Sequence, residues 1–295
     1  MKVFYPYAYF YPETCAGTYL IDNVIEASAA SGIESLMTVP TPTRDVDTGK
    51  PWRRTEKLYG GKFRIHRFHM YGEGKNPVGR ALRYLLCENI QFFFCLFKKY
   101  DVLFIDSTPP IQGLKLPVVK FFRRKPVVYN AQDLFPDSLV GTGLARKGGL
   151  LWRIGSWVMN ITYRCCDKII VISEDFKKLL LAKGVPEDKI VVVYNWVDQN
   201  AVVDIPRDKN KLFDKYQLDR SKFYIEYSGN IGLTQNMDML LEVMKELKTT
   251  HPDIGLVLVG EGAYKAQVEE IVKRDNLTNV TMIPFQPYED ISYVF

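Results

Sequence analysis

Residues 223–228 are Phe-Tyr-Ile-Glu-Tyr-Ser and lead into Gly229-Asn230-Ile231-Gly232, while residues 254–259 are Ile-Gly-Leu-Val-Leu-Val and lead into Gly260-Glu261-Gly262. The β-branched and aromatic runs predict two strands, and the apolar periodicity of residues 236–249 predicts a helix between them. Two strands joined by a helix are parallel in an open α/β sheet. Both glycine turns therefore lie at the carboxyl edge of the sheet, where such sheets bind ligands.

The same alternation of strands and helices fills the first two thirds of the chain. Short strands are predicted at 2–8, 33–39, 63–68, 102–106, 126–130, 168–173 and 190–194, and residues 44–61 are predicted to be a polar loop. This pattern is typical of a parallel, doubly wound sheet. Residues 195–223 are polar and weakly periodic, as a linker region is. We predict an N-terminal domain, residues 1–200, and a second domain, residues 201–295, with too few strands for a complete sheet of this kind.

The charge of the chain is unevenly distributed. Residues 51–125 contain 16 Lys and Arg against five Asp and Glu, whereas residues 201–295 contain 11 against 15. A basic first half indicates an anionic partner. Nucleic acid is not expected, because no nucleic-acid-binding motif is present. An anionic membrane surface, contacted for example by Arg123 and Arg124, fits better because aromatic residues are interleaved with the charges. The aromatic run at 92–97 is interpreted as core.

The N-terminus and the cysteines indicate the cellular compartment of the protein. Residues 1–8 enter a strand directly and lack the apolar segment of a signal peptide, and no apolar run reaches the length that spans a bilayer. The five cysteines show no metal-binding spacing, and Cys165 and Cys166 are adjacent in a helical stretch. Free thiols and a reducing cytoplasm are therefore expected.

Two loops of the first domain are candidates for ligand contact. Gly17 lies at the entry of the first helix, where a missing side chain allows close approach of a phosphate or sugar, and Thr18 is predicted as its N-cap. Thr108 follows a buried strand, in a loop that Pro109 and Pro110 are predicted to hold extended. Both loops are also compatible with ordinary turns that only redirect the chain.

A carboxylate, Asp133, follows the strand at 126–130 and lies beside Asn130 and Gln132. At a strand end it can accept a proton or orient a substrate hydroxyl, so we predict a catalytic role. Asn195, between the two halves, is predicted either to contact ligand or to cap a turn. In the second half, backbone N–H groups of residues 229–232 are predicted to hold phosphate, and Glu261 to bind a ribose or sugar hydroxyl.

Five blocks, taken in order, resemble glycosyltransferase family 4, and in particular the branch that builds bacterial surface polysaccharides. They are Pro12-Glu13 with Gly17, residues 107–110, residues 132–136, residues 194–198, and residues 227–232 with 258–262. The resemblance implies the GT-B fold, in which two Rossmann-like domains with doubly wound parallel sheets face a cleft. Here the second domain is expected to be incomplete.

The resemblance also implies the reaction: a retaining transfer of a sugar, expected to be of the N-acetylhexosamine type, from a UDP-sugar to a lipid-linked saccharide acceptor. No metal and no further cofactor are implied. The acceptor would place the enzyme peripherally on the cytoplasmic face of the plasma membrane. On this basis Asp133 is the expected catalytic residue, and the acceptor side comprises Glu13, Gly17, Thr108, Gln132 and Asn195. The donor side comprises Gly229, Asn230, Gly232, Gln235, Gly260, Glu261 and Gly262.

Two departures from the family pattern are visible. Many members have an Arg and a Lys that hold the diphosphate, whereas this chain has Asn230 and then Gln235 or Asn236 in those places. The E-x7-E carboxylate motif of the family is expected beyond residue 295. We therefore expect this chain alone to lack transfer activity.

Two alternative functions remain open at this stage. One is a UDP-sugar 2-epimerase of the GT-B fold, which would leave the basic, aromatic surface unexplained. The other is a non-catalytic assembly protein that binds a sugar nucleotide. The three functions differ in whether an acceptor is required and in whether the donor is consumed.

Overall fold

The structure is a computed structural model, and it describes residues 1–13, 16–43, 51–72, 76–141, 143, 145–200 and 202–295. Within these residues the chain divides into two compact units, Met1–Trp196 and Val197–Phe295. The boundary falls shortly before the predicted one at residue 200. Each unit contains a predominantly parallel sheet with helices, which confirms the predicted α/β class.

The first unit alternates strands and helices. Its elements are β1 (Lys2–Pro6), α1 (Ala16–Ala30), β2 (Glu34–Pro40), β3 (Thr55–Leu58), β4 (Phe63–Phe68), α2 (Pro77–Phe97), β5 (Val102–Asp106), α3 (Leu116–Arg123), β6 (Val127–Ala131), α4 (Asp137–Gly141), α5 (Leu150–Cys165), β7 (Lys168–Val171), α6 (Glu174–Ala182) and β8 (Ile190–Val192). Short 3₁₀ helices are formed by Tyr59–Gly61, Pro110–Lys115 and Glu187–Lys189.

The strands of the first unit form one sheet in the order β3-β4-β2-β1-β5-β6-β7-β8. Neighbouring strands are parallel, apart from β3, which pairs antiparallel with β4. The strand order reverses at β1, which pairs with β2 on one side and with β5 on the other. The carboxyl ends of β1 and β5 therefore flank the topological switch point, where doubly wound sheets bind ligands.

Apolar side chains cover both faces of this sheet. In β1, Phe4 belongs to one buried cluster with Leu103 and Leu116, whereas its neighbour Tyr5 belongs to another with Ile25. Successive side chains of a strand point to opposite faces, so the two clusters lie on opposite sides of β1. Burial on both faces is what a doubly wound parallel sheet requires.

Two local predictions for the first unit were wrong. Strand β3 lies within the segment predicted as a polar loop, because its side chains are mostly exposed at the sheet edge and give no apolar alternation. The segment after Pro109 is a 3₁₀ helix and not an extended loop. Pro110 occupies its first turn, where the fixed φ of proline and its missing N–H favour a helix start.

The second unit is built around three strands within the described residues. Its elements are α7 (Lys211–Lys215), β9 (Phe223–Ser228), α8 (Met237–Thr250), β10 (Ile254–Val259), α9 (Lys265–Arg274) and β11 (Val280–Ile283). The strands are parallel in the order β11-β10-β9. The predicted strand–helix–strand unit of residues 223–259 is confirmed. It places both glycine turns at the carboxyl ends of adjacent strands.

Candidate active site

The two glycine turns of the second unit are joined by backbone hydrogen bonds. The N–H of Gly229 donates to the carbonyl of Val259 at 2.9 Å, and the N–H of Ile231 donates to the carbonyl of Glu261 at 2.9 Å. In return, the N–H of Tyr264 donates to the carbonyl of Ile231 at 3.0 Å. The pairing of β9 with β10 thus continues past the ends of both strands, and the turns form one rigid edge.

The close contact between the turns explains the glycines of the second turn. A Cβ at Gly260 would lie 2.0 Å from the carbonyl oxygen of Gly229, and Gly260 also has a φ of +144°. A Cβ at Gly262 would lie 2.1 Å from the carbonyl oxygen of Ile231. The packing of the two turns therefore explains why residues 260 and 262 are glycine, without any ligand.

Most N–H groups of the first turn already have acceptors inside the protein. Gly229 and Ile231 donate to the second turn, and the N–H of Gly232 donates to the side-chain oxygen of Gln235 at 3.1 Å. Within the described residues, Asn230 is the member of 229–232 whose N–H has no protein acceptor, while its carbonyl accepts a hydrogen bond from Tyr227. In this conformation a phosphate would meet one free N–H and not the predicted set.

An ion pair lies at the second turn. The Glu261 carboxylate, 57% exposed, contacts the Lys265 ammonium at 2.7 Å, one helical turn away in the first turn of α9. The first glycine turn, residues 229–232, lacks the cations that many family members have there. Lys265 brings a positive charge to the second turn instead. Sequence reasoning missed this residue, although the i, i+4 spacing from Glu261 is the available signal.

In the first unit, hydrogen-bonded side chains connect three strand ends. The Asn195 amide donates to the Gln132 side-chain oxygen at 3.0 Å, and the Gln132 amide donates to the Asn130 side-chain oxygen at 3.2 Å. The Asn130 amide in turn makes a long hydrogen bond of 3.4 Å to a carboxylate oxygen of Asp106. We refer to Asn195, Gln132, Asn130 and Asp106 as the amide chain. It brings together Gln132 and Asn195, which were predicted separately.

Asp106 ends the amide chain beside the switch point. It is the last residue of β5 and pairs in register with Asn130 of β6. Burial raises the pKa of Asp106 to about 6, opposed by hydrogen bonds from the Ser107 backbone and the Asn130 side chain. Tyr7 follows β1, and burial together with the Asp106 charge holds its pKa well above the usual range. Asp106 and Tyr7 were not predicted as site residues, although a carboxylate that ends a buried strand is a usable signal.

Asp133, the predicted catalytic residue, directly follows Gln132 on the loop after β6. Its side chain is exposed and forms no hydrogen bond or ion pair with other described residues. The carboxylate is therefore available to a ligand. Its catalytic role stays a prediction.

The remaining acceptor-side residues are dispersed. Glu13 is buried, and its carboxylate accepts the backbone N–H of Thr43 at 2.8 Å, so it holds a neighbouring loop. Gly17 lies inside α1, with open space beside its Cα, and Thr18 is also inside the helix, so the predicted N-cap is wrong. Thr108 is exposed, and its carbonyl accepts the Gln112 amide at 2.6 Å. The amide chain includes none of these residues.

The described residues contain neither a metal-binding cluster nor a helix that could span a membrane. They contain no group of three or more His, Cys, Asp or Glu side chains arranged to hold a metal ion. Among their helices, none combines the length and apolar character that crossing a membrane requires.

Comparison with known proteins supports the resemblance. The family model described as Glycosyltransferase Family 4 matches residues 20–201, and the model described as Glycosyl transferases group 1 matches residues 208–295. The glycosyltransferase named WbjE of Pseudomonas aeruginosa is 21% identical over 178 residues, 60% of this chain and 44% of the relative. The protein of Escherichia coli K12 named as the colanic acid biosynthesis glycosyl transferase WcaI is 28% identical over 165 residues, 55% of this chain and 40% of the relative. The chain thus matches less than half the length of either relative.

Solved structures show the same architecture. Anabaena HepE in complex with UDP-glucose superposes with a TM-score of 0.66 and 17% identity, covering 99% of this chain and 71% of HepE. A UDP-GlcNAc 2-epimerase of Neisseria meningitidis superposes with a TM-score of 0.57 and 15% identity, covering 100% of this chain and 74% of the epimerase. Both likenesses show the fold alone, which is the GT-B fold. Because the family model matches more than half of the chain, from within α1 to beyond β8 and including the amide chain, the chain belongs to glycosyltransferase family 4.

Proposed function

We propose that this protein is a retaining glycosyltransferase that moves a sugar of the N-acetylhexosamine type from a UDP-sugar to a lipid-linked saccharide in surface-polysaccharide synthesis. The observation that carries the proposal is the match of residues 20–201 to the family model described as Glycosyltransferase Family 4. The free N–H of Asn230 and the Lys265 ammonium, at the strand ends of the second unit, are the groups that can meet a donor. The likeness to WcaI, named for colanic acid biosynthesis, supports the pathway class, and the likeness to HepE, which binds UDP-glucose, supports the donor class.

The donor is assigned to the second unit. The free N–H of Asn230 is a hydrogen-bond donor for the diphosphate, and the Lys265 ammonium is the nearby cation that can offset its charge once the pair with Glu261 opens. Glu261 is then free to accept a hydrogen bond from a ribose or sugar hydroxyl. No metal or other cofactor is part of the proposal.

The acceptor is assigned to the first unit. The amide chain holds Gln132 and Asn195 in fixed orientations next to the exposed Asp133 carboxylate. In the reaction, the acceptor hydroxyl oxygen bonds to the anomeric carbon while the bond from that carbon to the β-phosphate oxygen breaks. Asp133 orients the acceptor hydroxyl. The proton that this hydroxyl loses leaves with the UDP phosphate.

The acceptor chemistry also places the protein at a membrane. A lipid-linked saccharide is presented at a bilayer surface, and the excess of 16 basic over five acidic residues in 51–125 favours an anionic one. We place the protein peripherally on the cytoplasmic face of the plasma membrane.

The first test is a thermal-shift panel of UDP-, GDP- and dTDP-sugars, since a ligand that binds the folded state raises the melting temperature. UDP-sugars are expected to stabilise the protein most. Lys265→Met is expected to weaken UDP binding severalfold, and Lys273→Met at the exposed far end of the same helix is the matched control. Stabilisation by none of the nucleotide sugars would contradict the proposal.

The second test separates the alternative functions. Radiolabelled UDP-sugar is incubated with the full-length protein, with and without lipid-linked saccharide, and the products are resolved. Label that enters lipid only when acceptor is present identifies the transferase. Conversion of the donor sugar to its 2-epimer without acceptor identifies the epimerase. Binding without either product leaves the non-catalytic function.

A further inference from the structure

Helix α2 turns polar side chains toward the sheet. Arg83 and Gln91 are fully buried on its inner face. The Arg83 guanidinium donates to the carbonyl of Tyr71 at 3.2 Å, and the Gln91 amide donates to the carbonyls of Tyr7 at 3.1 Å and Thr38 at 2.9 Å. The inner face of the helix therefore combines hydrogen-bonded polar side chains with buried apolar ones, Cys87 and Cys95 among them.

The outer face of the same helix is apolar. Its exposed side chains are Val78, Leu82, Leu85, Leu86, Phe93 and Phe97. Phe97 is 77% exposed. The outer face of a surface helix is normally polar, with the apolar stripe confined to the core side. The aromatic run at 92–97, predicted as core, is thus split, with Phe93 and Phe97 on the outer face.

The neighbouring helices continue this surface. Helix α3 packs against both α2 and α5. It exposes Phe122 and Phe121, the latter 71% exposed, and α5 exposes Ile154 and Trp157, the latter 60% exposed. We call the exposed apolar side chains of α2, α3 and α5 the apolar helical face. Exposed apolar side chains gathered on three helices that pack together indicate an interaction site.

The charges around the apolar helical face are mostly positive. Two exposed carboxylates lie beyond the ends of α2 and α5, those of Asp101 and Asp167, and Asp167 forms an ion pair with Lys120 of α3. The three helices contain a single acidic residue, Glu88, and its carboxylate forms an ion pair of 2.7 Å with the buried Lys115. Exposed basic residues lie on these helices or just beyond their ends, among them Arg80, Lys99, Arg124 and Arg153. Arg123 has a different role, since its guanidinium donates to the carbonyls of Leu96 and Lys98 and so holds the end of α2.

We propose that the apolar helical face binds the surface of an anionic lipid bilayer, with its apolar side chains among the acyl chains and its basic side chains at the headgroups. This deepens, and rests on, the membrane location in the proposed function. Apolar area and basic charge together are what interfacial binding requires. A second copy of the chain fits less well, because a two-fold contact would bring the same basic residues together.

The test is sedimentation of the full chain with sucrose-loaded vesicles of phosphatidylcholine, alone or with 30% phosphatidylglycerol. We expect binding to the anionic vesicles, about tenfold weaker for Phe121→Ser with Phe122→Ser because two inserted rings are lost. The matched control is Met239→Ser with Val243→Ser, which removes exposed apolar side chains from α8. Arg124→Glu is expected to reduce the preference for anionic vesicles and leaves the contacts of Arg123 intact.

Three outcomes would overturn the inference. They are equal binding to both vesicle types, unchanged binding by the Phe121 and Phe122 variant, and dimerisation that this variant abolishes without any vesicle binding. UDP-sugar binding is measured on the same variants. If it persists while vesicle binding is absent, the lipid surface is wrong and the transferase proposal stands. If vesicle binding persists without UDP-sugar binding, the proposed function is wrong.

Discussion

The side-chain amide of Asn195 donates a hydrogen bond of 3.0 Å to the side-chain oxygen of Gln132, across 63 residues of sequence. Asn195 follows the last strand of the first unit, and Gln132 follows β6. Their bond fixes the orientation of both amides, so that each also has a defined direction for its remaining hydrogen-bonding atoms. Two loops that are distant in sequence thus act as one surface beside Asp133.

A double-mutant cycle measures this coupling. Gln132→Met and Asn195→Leu each remove the hydrogen bond while keeping a similar volume, and the pair is expected to show a coupling energy of about 1 kcal/mol. Urea unfolding of the four proteins gives the value. Additive effects of the two substitutions would show that the hydrogen bond contributes nothing.

Asp133 is expected to matter for the reaction and not for the donor. In the full-length protein, Asp133→Ala and Asp133→Asn should lower the transfer rate by about 10²-fold or more, since misplacing the attacking hydroxyl costs that much. Binding of UDP-sugar should remain unchanged, because the residue belongs to the other unit. Initial rates with saturating acceptor, together with calorimetric titration of the donor, test both parts. Wild-type turnover by either variant would remove Asp133 from the mechanism.

Asp106 predicts a pH dependence of stability. Its pKa is raised to about 6 in the folded protein, from an ordinary value of 3.8, so the folded state binds more protons than the unfolded state between these values. The contribution of Asp106 to the free energy of unfolding therefore falls as the pH rises from about 4 to 6 and stays low above that.

Asp106→Asn isolates this effect. The variant should gain stability relative to wild type as the pH rises from 4 to 7, by about 1 to 3 kcal/mol, the lower part of the range reflecting partial exposure. Urea unfolding at a series of pH values gives the difference curve. A difference that is flat across this interval would show that Asp106 does not carry the shift.

The glycine turns predict two unequal substitutions. Gly262→Ala would place a Cβ 2.1 Å from a backbone oxygen, so about 3 kcal/mol of destabilisation is expected. Gly232→Ala would meet only the ends of the Asn230 and Gln235 side chains, which can move, so its cost should stay below about 1 kcal/mol. Urea unfolding of both variants is the measurement, and equal stabilities would contradict the packing of the turns.

The strands and glycine turns of residues 223–262 were predictable because the β-branched and aromatic runs and the glycines both act locally. The hydrogen bonds of the turns were not, because they depend on which strand β9 pairs with. The N–H of Gly229 is free in a lone turn and bonded once β10 supplies Val259.

The amide chain shows the same limit for the site. Strand ends predicted Gln132 and Asp133, because polar residues that follow buried strands are recognisable in sequence. The partnership of Gln132 with Asn195 depends on the order β6-β7-β8, which the sequence pattern does not specify.

The hydrogen bonds of the buried side chains of Arg83 and Gln91 determine which face of α2 lies against the sheet. Rolling the helix about its own axis by half a turn would bury the exposed leucines and phenylalanines, but it would also expose the buried side chains of Cys87 and Cys95. Such a roll would break the bonds from Arg83 and Gln91 and leave the carbonyls of Tyr7 and Thr38 without the Gln91 donor. The two polar side chains thus select one rotational setting for a helix that carries apolar side chains on both faces.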